Sequence, residues 1–422
     1  MAGMAEKTSG RQKISSITGK NQGGVGMKKY AIEGAMIYSI AEKPFIGTVL
    51  VEDGKITAVG ERLEVPTDAE RLDGRGKLLF PGFIDAHTHL GINPEAMGWA
   101  GEDYNEKSSP ITPELDALDA IYPEDLGFKE TLAGGVTTVM VTPGSANVIG
   151  GQCTVLKTRP YPLVTDMVLR RKAGLKIAFG ENPRRVYGNA GKAPTTRMGV
   201  AGLLRKTLQK AAEYRNNQRQ SEEKSASAVD FGLENVGLVI SGEMPLRAHA
   251  HRADDIATAV RIAKEFDLNI IIEHATEGHK IADFLMEEEV PVLVGPTLTF
   301  RSKMEVADRS FDSLAILDQV GVKFGIISDH PVVPSSALPL YAGLAVRYGL
   351  SEEAALRAIT LEPARIMEID DRVGSIEVGK DADLVLWNAH PFNSTSKPEW
   401  VMVDGALNRL TSQLKLNPLW ED

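Results

Sequence analysis

The central part of the sequence alternates apolar, strand-like runs with helix-like stretches. Six runs have the length and apolar content of buried strands: residues 136–141, 175–179, 244–248, 269–273, 290–294 and 322–328. Helix-like stretches, such as residues 252–266 and 279–288, lie between them. Repeated β-α units favour parallel strands, so we predict an α/β fold with a closed (β/α)8 TIM-like barrel. A doubly wound sheet is the alternative, but no glycine-rich phosphate loop follows the first strand of the series.

The two ends of the chain have a different sequence pattern. Short strand-like runs separated by Gly and Asp turns fill residues 30–80 and return in residues 374–405. The pair Asp53-Gly54 between two alternating runs is a strong hairpin signal. We therefore predict a small β-sandwich domain formed by both termini, from residues 27–80 and 369–422, around a barrel in residues 81–368. Residues 1–26 are polar and are predicted to be a disordered extension.

Composition excludes several classes of protein. The chain has 422 residues and a formal net charge of -10, which argues against nonspecific binding to nucleic acid. No apolar run is long enough to span a membrane. The single cysteine, Cys153, allows no internal disulfide and fits a reducing cytoplasm. We expect a cytoplasmic protein with no membrane partner.

Histidines and carboxylates collect where the strand-like runs end. Residues 81–90 read Pro-Gly-Phe-Ile-Asp-Ala-His-Thr-His-Leu, and residues two apart on a strand point to the same side, so His87 and His89 project together. In a parallel barrel, all strand ends surround one mouth, where imidazoles and carboxylates would suit a first-row transition metal. The other residues that follow strand-like runs are Glu181, His249, His251, Glu273, His274, Asp329 and His330.

With these motifs and a closing stretch from Gly374 to Val385, the chain from about Met27 onward resembles the metal-dependent amidohydrolase superfamily. It is most similar to the branch of the imidazolonepropionases, near the prolidase-like members. The resemblance implies a hydrolase that cleaves a C–N bond, in an amide or cyclic amide of a small molecule, by attack of a metal-activated water. Dipeptidase or prolidase-like activity and deamination are the alternatives. A non-catalytic scaffold is disfavoured, because all the expected ligand types are present.

The resemblance also implies roles for individual residues. His87 and His89 match the paired metal ligands after the first strand, His249 and His274 match those at the fifth and sixth strands, and Asp329 matches the aspartate that binds metal and accepts the proton of the attacking water. Many relatives carry a carbamylated lysine at the fourth strand. Here Lys176 is expected to lie too early in that strand, and Glu181 is the predicted ligand instead. One or two divalent ions are expected, with Zn²⁺ favoured over Fe or Mn.

Contacts to the substrate are less well defined by the sequence. His251 competes with His249 for the role of ligand and otherwise lines the pocket, while His330 contacts substrate or caps a loop. Arg184, Arg185 and Tyr187 follow the fourth strand end and are candidates to hold a carboxylate or carbonyl group, and Gln152 lies in a polar, Gly-containing loop. The expected partners are a small-molecule substrate and further copies of the chain in a homo-oligomer.

Overall fold

The protein is described by a computed structural model that covers residues 28–221 and 229–409. The predicted disordered extension, the tail after Arg409 and residues 222–228 lie outside the described residues.

Sixteen strands are found in the described part of the chain. Most of them lie in residues 30–88 or in residues 136–326. In chain order they are β1 (Tyr30–Ile37), β2 (Phe45–Glu52), β3 (Lys55–Gly60), β4 (Glu70–Asp73), β5 (Leu78–Pro81), β6 (Phe83–Thr88), β7 (Val136–Val141), β8 (Ile149–Lys157), β9 (Val168–Ala178), β10 (Leu246–Ala250), β11 (Ile270–His274), β12 (Val292–Val294), β13 (Phe324–Ile326), β14 (Leu384–Trp387), β15 (Pro398–Val403) and β16 (Ala406–Arg409).

Ten α-helices follow or connect these strands within the described ranges. They are α1 (Leu126–Ala133), α2 (Glu181–Asn189), α3 (Arg197–Ser221), α4 (Phe231–Ile240), α5 (Ala253–Glu265), α6 (Ala282–Glu287), α7 (Asp312–Val320), α8 (Leu338–Arg347), α9 (Glu352–Arg357) and α10 (Leu361–Ile366). Short 3-10 helices include Gly98–Gly101, Gly278–Ile281 and Met304–Val306. No helix in these ranges is long and apolar enough to cross a membrane.

One mixed sheet contains strands from both ends of the chain. Its order is β16-β15-β14-β5-β1-β2-β3, with β4 also paired to β1. The ends are joined by β5 and β14, which run antiparallel from Leu384↔Pro81 to Trp387↔Leu78. The predicted hairpin is confirmed: β2 and β3 pair antiparallel around Asp53 and Gly54, whose φ angles are 55° and 77°. Because β5 runs directly into β6, this sheet anchors the strand that carries the first histidine pair.

The second sheet is a nearly closed barrel of eight strands, in the order β6 to β13 along the chain. The prediction of an α/β fold with an eight-stranded barrel is confirmed, but the prediction that all strands are parallel is wrong. Strand β8 runs antiparallel to both β7 and β9. Only residues 142–148 and 158–167 separate these strands, and a parallel connection needs a dozen or more residues. The start of β8, not its end, therefore lies at the mouth.

The barrel closes through backbone contacts between its first and last strands. The N–H of Asp329 donates to the carbonyl oxygen of His87 at 3.2 Å, and the N–H of His89 donates to that of His330 at 2.8 Å. These bonds fix Asp329 directly beside the first histidine pair. The barrel interior is lined by apolar residues from several strands, among them Ile84, Met140 and Leu293.

Candidate active site

The carboxyl ends of the parallel barrel strands surround a cleft of about 390 Å³. Its floor holds the imidazoles that the sequence placed at strand ends, together with the carboxylate of Asp329. Its walls come from the start of α2 and from the loops after β12 and β13. The lining includes His87, His89, Lys176, Asn182, Arg185, His249, His251, His274, Lys303 and Asp329.

Asp329 faces the histidine pair of the first strand. Its Oδ1 atom lies 3.2 Å from Nε2 of His87 and 3.3 Å from Nε2 of His89. The other ring nitrogen of His89, Nδ1, lies 2.7 Å from the carbonyl oxygen of Thr142. A carbonyl oxygen only accepts, so Nδ1 of His89 carries the proton and Nε2 of the neutral ring directs a lone pair at Asp329.

Three further histidines form a second group in the same cleft. The ring centroids of His249 and His274 lie 4.4 Å apart, and that of His251 lies 4.7 Å from His249. His274 links the two groups, because its ring centroid is only 4.8 Å from that of His87. Its Nδ1 atom lies 2.8 Å from the carbonyl oxygen of Gly295, which leaves Nε2 free as a ligand atom. The predicted convergence of these strand ends is therefore seen in the structure.

Burial keeps most of these imidazoles neutral. Burial lowers the pKa of His249 and of His251 well below the usual range of histidine, lowers that of His274 to about 3, and lowers that of His89. Neutral imidazole is the form that binds metal. For His87, burial and Lys176 act to lower the pKa, but nearby carboxylates outweigh them and raise it.

A buried charge network that the sequence reasoning missed lies beneath the floor. Glu273, on β11, is fully buried. One of its oxygens, Oε2, lies 2.9 Å from Nδ1 of His87 and 2.8 Å from Nζ of Lys176, while Oε1 accepts from Nε of Arg247 at 2.7 Å. Burial would raise the pKa of Glu273, but Lys176, His87 and Arg247 hold it well below its usual range.

The position of Lys176 differs from the sequence expectation. It lies on β9, the fourth barrel strand, two residues before the strand ends, yet its side chain lines the cleft. A long lysine stem spans the rise of two strand residues, which is roughly 6–7 Å. The signal that would have found Lys176 and Glu273 is a charged residue inside an otherwise apolar strand, where an unpaired charge is strongly disfavoured.

Glu181 is placed away from the imidazoles, contrary to the ligand role predicted for it. Its Oε1 atom accepts from the backbone N–H of Glu305 at 3.1 Å, and Oε2 of Glu305 accepts from the N–H of Glu181 at 2.9 Å. Glu181 is the first residue of α2 and does not line the cleft. The preference of carboxylates for a helix N-terminus explains the difference.

The residues predicted to contact substrate are only partly in the cleft. His251 and Arg185 line it, whereas Arg184, Tyr187, Gln152 and His330 do not. The segment after Gly180 is a helix and not a loop, so its residues point in different directions. Asn182 and Arg185, three positions apart, face the cleft, in agreement with helical spacing.

These four residues have other contacts. Nε of Arg184 donates to the carbonyl oxygen of Thr195 at 3.4 Å. The Tyr187 hydroxyl donates to the carbonyl oxygen of Ser109 at 2.7 Å, and the backbone N–H of Gln152 donates to that of Leu115 at 2.8 Å. His330 is buried behind Asp329, where its Nδ1 accepts from the N–H of Ser335 at 3.4 Å.

A buried carboxylate supports the loop that carries Asp329. Asp85, on β6, accepts from the hydroxyls of Ser328 and Ser335 and from the backbone N–H of Ser328 at 3.2 Å. Burial raises the pKa of Asp85 to about 6. This arrangement connects the first barrel strand to the last through side chains as well as backbone.

Backbone conformation at two of the site residues is unusual. His274 and Asp329 have φ angles of 72° and 57°, in the left-handed region that non-glycine residues rarely adopt. Such conformations cost about 1–3 kcal/mol each and persist only where the surrounding structure imposes them. His274 ends β11 and Asp329 lies three residues after the end of β13, and both side chains line the cleft.

The donor set fits a divalent metal ion. Two groups of side chains could hold one: His87, His274 and Asp329, and His249, His251 and His274. The lone pair of His89 Nε2 and the Asp329 carboxylate face each other at 3.3 Å, an arrangement that is repulsive unless a cation lies between them. Donor atoms about 3.3–3.6 Å apart are also what metal–ligand bonds of about 2.0–2.2 Å produce in a tetrahedral site. A larger cleft of about 680 Å³ at the opposite end of the barrel contains no histidine.

Comparison with known proteins agrees with this geometry. Residues 78–407 match the model of the amidohydrolase family. The amidohydrolase tasK of Hapsidospora irregularis is 30% identical over 390 residues, which are 86% of this chain but only 40% of that longer protein. An imidazolonepropionase of Cupriavidus pinatubonensis is 26% identical over 376 residues, covering 80% of this chain and 82% of that one. A crystal structure of an amidohydrolase from Thermotoga maritima MSB8 superposes with a TM-score of 0.88 at 45% identity, covering 90% of this chain and all of that one.

The chain has a barrel with histidines and an aspartate at its strand ends, and the family model matches most of the chain. Together these two findings define a class of hydrolase. The chain belongs to the amidohydrolase family, and it is an enzyme that hydrolyses carbon–nitrogen bonds. The resemblance seen in the sequence is thereby confirmed.

Proposed function

We propose that the protein is a metal-dependent hydrolase that cleaves an amide or cyclic-amide C–N bond of a small molecule, with Asp329 as the general base. The observation that carries the proposal is the contact between His89 Nε2 and Asp329 Oδ1, where two electron-pair donors face each other at 3.3 Å. A cation between them removes the repulsion, and a divalent ion is the cation that imidazole and carboxylate together prefer.

In this proposal His87, His89 and Asp329 hold one ion, and the group around His249 and His274 holds or shares another. When bound, a divalent ion lowers the pKa of water and polarises the scissile carbonyl group. Zn²⁺ fits the imidazole-rich donor set best, while Fe and Mn are alternatives. Oε2 of Glu273 lies 2.9 Å from Nδ1 of His87, and a carboxylate at this nitrogen would hold the ring in place and raise the basicity of its Nε2 atom.

Asp329 is suited to accept and return a proton. Burial would raise its pKa, but the neighbouring imidazoles of His87 and His89 hold it well below the usual range, so the carboxylate is ionised at neutral pH. Its side chain is 16% exposed and faces the cleft, where an attacking water and a substrate carbonyl meet. Asp329 would take the proton of that water and pass it to the leaving nitrogen.

Lys176, and not Glu181, is now the candidate for the lysine that many relatives carry at the fourth strand. It lines the cleft, and in a carbamylated form it would be a further ligand for a divalent ion. In the unmodified form its ammonium group is paired with Glu273 at 2.8 Å.

The charges of the cleft favour a substrate that carries a carboxylate. Arg185 lines the wall opposite the histidines, and its hydrogen-bond partner is the amide oxygen of Asn182, at 3.4 Å, with no carboxylate paired to it in the described chain. Lys303 also lines the cleft, but its ammonium group is paired with Oε1 of Glu305 at 2.6 Å. An N-acyl amino acid or a dipeptide offers both the C–N bond and the carboxylate, which favours dipeptidase-like activity as the second candidate function.

The test is reconstitution of the stripped enzyme. The purified chain is treated with a chelator, loaded with Zn²⁺, Mn²⁺ or Fe²⁺, and screened against N-acyl amino acids, dipeptides and cyclic amides, with release of amine as the readout. We expect turnover on at least one of these C–N substrates that disappears on stripping and returns on loading. A folded, metal-free protein with undiminished turnover would overturn the proposal.

Several further expectations remain predictions of the same account. They are a small-molecule substrate, a homo-oligomeric assembly, a cytoplasmic location, and a division of the chain into a terminal β-sandwich domain and a barrel domain spanning residues 81–368.

A further inference from the structure

The apolar lining of the cleft comes from two loops. Among the described residues that line the cleft, the aliphatic and proline side chains all belong to the loops after β12 and β13, and they are Pro296, Val306, Pro331 and Val332. The floor holds the imidazoles and the Asp329 carboxylate, and the start of α2 supplies Asn182 and Arg185. An apolar part of a substrate would therefore meet aliphatic surface along these two loops.

The apolar surface of these loops continues past the edge of the cleft. Val332 lines the cleft and is 53% exposed, so part of it faces outward. Phe300 is 76% exposed and lies in the chain between Thr299 and Ser302, both of which line the cleft. Because β12 and β13 are neighbouring strands, the loops that carry Phe300 and Val332 are neighbours at the mouth. Single exposed apolar residues are common, but apolar surface that is continuous with a cleft indicates a binding site.

Contacts of the loop after β12 fix the backbone on which Phe300 is carried. The next residue, Arg301, donates from Nε to the carbonyl oxygen of Ala307 at 2.6 Å, so the loop is tied to itself. Further along the same loop, Oε1 of Glu305 lies 3.9 Å from Nε2 of His249, so the loop is also held against the floor of the cleft. A loop that is ordered before a ligand arrives lowers the entropy cost of binding.

The order of the barrel strands places this apolar surface across the mouth from Arg185. Arg185 lies on α2, which follows the fourth barrel strand, β9, whereas Val332 follows the eighth, β13. The fourth and eighth strands of an eight-stranded barrel lie on opposite sides, with the histidine floor between them. In an N-acyl amino acid, the carboxylate is on the nitrogen side of the C–N bond and the acyl group is on the carbonyl side. A carboxylate bound at Arg185 would therefore direct the acyl group toward Val332.

We propose that Phe300 and Val332 form a subsite for the acyl group of the substrate, and that this group is large and apolar, such as an alkyl chain of several carbons or an aromatic ring. The inference rests on the proposed function and deepens it, because it selects N-acyl amino acids with an apolar acyl group over cyclic amides. It also states on which side of the C–N bond the apolar group lies. It does not depend on the identity or the number of the bound ions.

The experiment measures binding of N-(alkylsulfonyl)glycines to the Zn²⁺-loaded full chain by calorimetric titration. A sulfonyl group replaces the acyl carbonyl in these probes, so they resist hydrolysis, and the alkyl group is methyl, butyl or hexyl. Each added methylene should tighten binding by about two- to fourfold, as expected for a methylene that is partly or fully buried, which gives at least about 30-fold from methyl to hexyl. N-(methylsulfonyl)-α-aminoheptanoic acid is an isomer of the hexyl probe with its chain on the amino-acid side, and it should bind at least about tenfold more weakly than that probe.

Two variants remove apolar surface from the two loops separately. They are Phe300→Ser and Val332→Thr, and each should weaken binding of the hexyl probe at least about threefold more than binding of the methyl probe. Phe231→Ser and Val378→Thr are the matched controls, because Phe231 and Val378 are similarly exposed and neither lines the cleft. The controls should keep the wild-type dependence on chain length, and thermal melting shows that each variant is folded.

The outcomes separate this inference from the proposed function, which is tested by metal-dependent turnover. If the hexyl probe binds no more tightly than the methyl probe, or its isomer binds equally well, the inference is wrong and the hydrolase proposal stands. Binding of no probe also overturns the inference. If the chain binds the series with the expected dependence on length but turns over no C–N substrate, the proposed function fails and the apolar subsite is retained.

A second copy of the chain is the other occupant that the same apolar surface could take. Sedimentation velocity of the wild type and of Phe300→Ser distinguishes the two occupants. A smaller assembly in Phe300→Ser, together with an unchanged dependence of binding on chain length, would assign the surface to a contact between copies and overturn the inference. The same assembly in both proteins, with the dependence on chain length reduced in the variant, supports it.

Discussion

Nδ1 of His87 lies 2.9 Å from Oε2 of Glu273, and the same carboxylate oxygen lies 2.8 Å from Nζ of Lys176. A buried glutamate thus links a candidate metal ligand to the lysine of the fourth barrel strand. Its other oxygen binds Arg247, whose Nη2 donates to the carbonyl oxygen of Ala86 at 2.9 Å. The floor of the cleft is therefore one connected set of charges under the first, fourth, fifth and sixth strands.

The first prediction concerns Glu273→Gln. The amide keeps the size of the side chain but removes its charge, which leaves Lys176 and Arg247 buried without a counter-charge. Breaking a buried ion pair on one side costs about 3–5 kcal/mol, and we expect a loss of this size in the free energy of unfolding. Urea unfolding in the presence of chelator measures it without a contribution from bound metal.

Glu265→Gln is the control for this change, because Glu265 pairs with Arg205 at the surface. Exposed ion pairs contribute up to about 1 kcal/mol, so this variant should unfold close to the wild type. Equal and small effects of the two substitutions would show that the Glu273 network does not stabilise the barrel.

The second prediction concerns the stability of the fold at acidic pH. Asp381 joins the terminal sheet to the barrel by contacts with Lys55 at 2.6 Å, Lys157 at 3.1 Å and Arg372 at 2.7 Å. Burial would raise its pKa, but these cations lower it to about 2, from an ordinary value of 3.8. The carboxylate therefore stabilises the fold fully above about pH 4, and this contribution is lost as the pH falls toward 2.

The contribution is on the order of 2 kcal/mol, since one pKa unit corresponds to about 1.4 kcal/mol. Urea unfolding at several pH values between 5 and 3 should show a smaller loss of stability on acidification in Asp381→Asn than in the wild type. Asp318→Asn, at an exposed position on α7, should keep the wild-type slope. Parallel curves for the wild type and Asp381→Asn would contradict the assignment.

The third prediction tests the charge of the cleft wall. If Arg185 binds a substrate carboxylate, Arg185→Ala should raise KM for N-acyl amino acids or dipeptides by about 10- to 100-fold. This is the change in binding expected on loss of one hydrogen bond to a charged group. A smaller change is expected in kcat, because the group acts on the substrate at a distance from the reacting bond. Steady-state kinetics on paired substrates with and without the carboxylate separate these effects.

Arg184→Ala is the matched control, since Arg184 is the neighbouring arginine on α2 and does not line the cleft. It should leave both constants near their wild-type values. An equal rise of KM for substrates that lack a carboxylate would show that Arg185 shapes the cleft and does not recognise charge.

The sequence was informative about the strand ends and less so about the loops. His87, His89, His249, His274 and Asp329 could be predicted because each follows an apolar run, and parallel strands of a barrel bring such ends together. The apolar runs fixed the positions of most barrel strands to within a few residues.

Contacts that depend on chain direction or on distant loops could not be predicted. Strand β8 was missed because its Gly150, Gly151 and Gln152 lack the alternating pattern of a half-buried strand. Glu305 lies 56 positions after His249 in the numbering and belongs to no regular strand or α-helix, so nothing local connects it to the histidines. Glu181 and Glu305 meet because the loop after β12 packs against the start of α2.

The most direct test of the proposed chemistry is the turnover of Asp329→Asn on a C–N substrate that the wild type hydrolyses. The amide keeps the size of the carboxylate but cannot accept the proton of the attacking water near neutral pH. General-base contributions are about 10²–10⁴-fold in rate, so kcat should fall at least about a hundredfold in a protein that is folded and analysed for its metal content. Turnover close to that of the wild type, in Asp329→Asn protein that holds its metal, would contradict the assignment of Asp329 as the base.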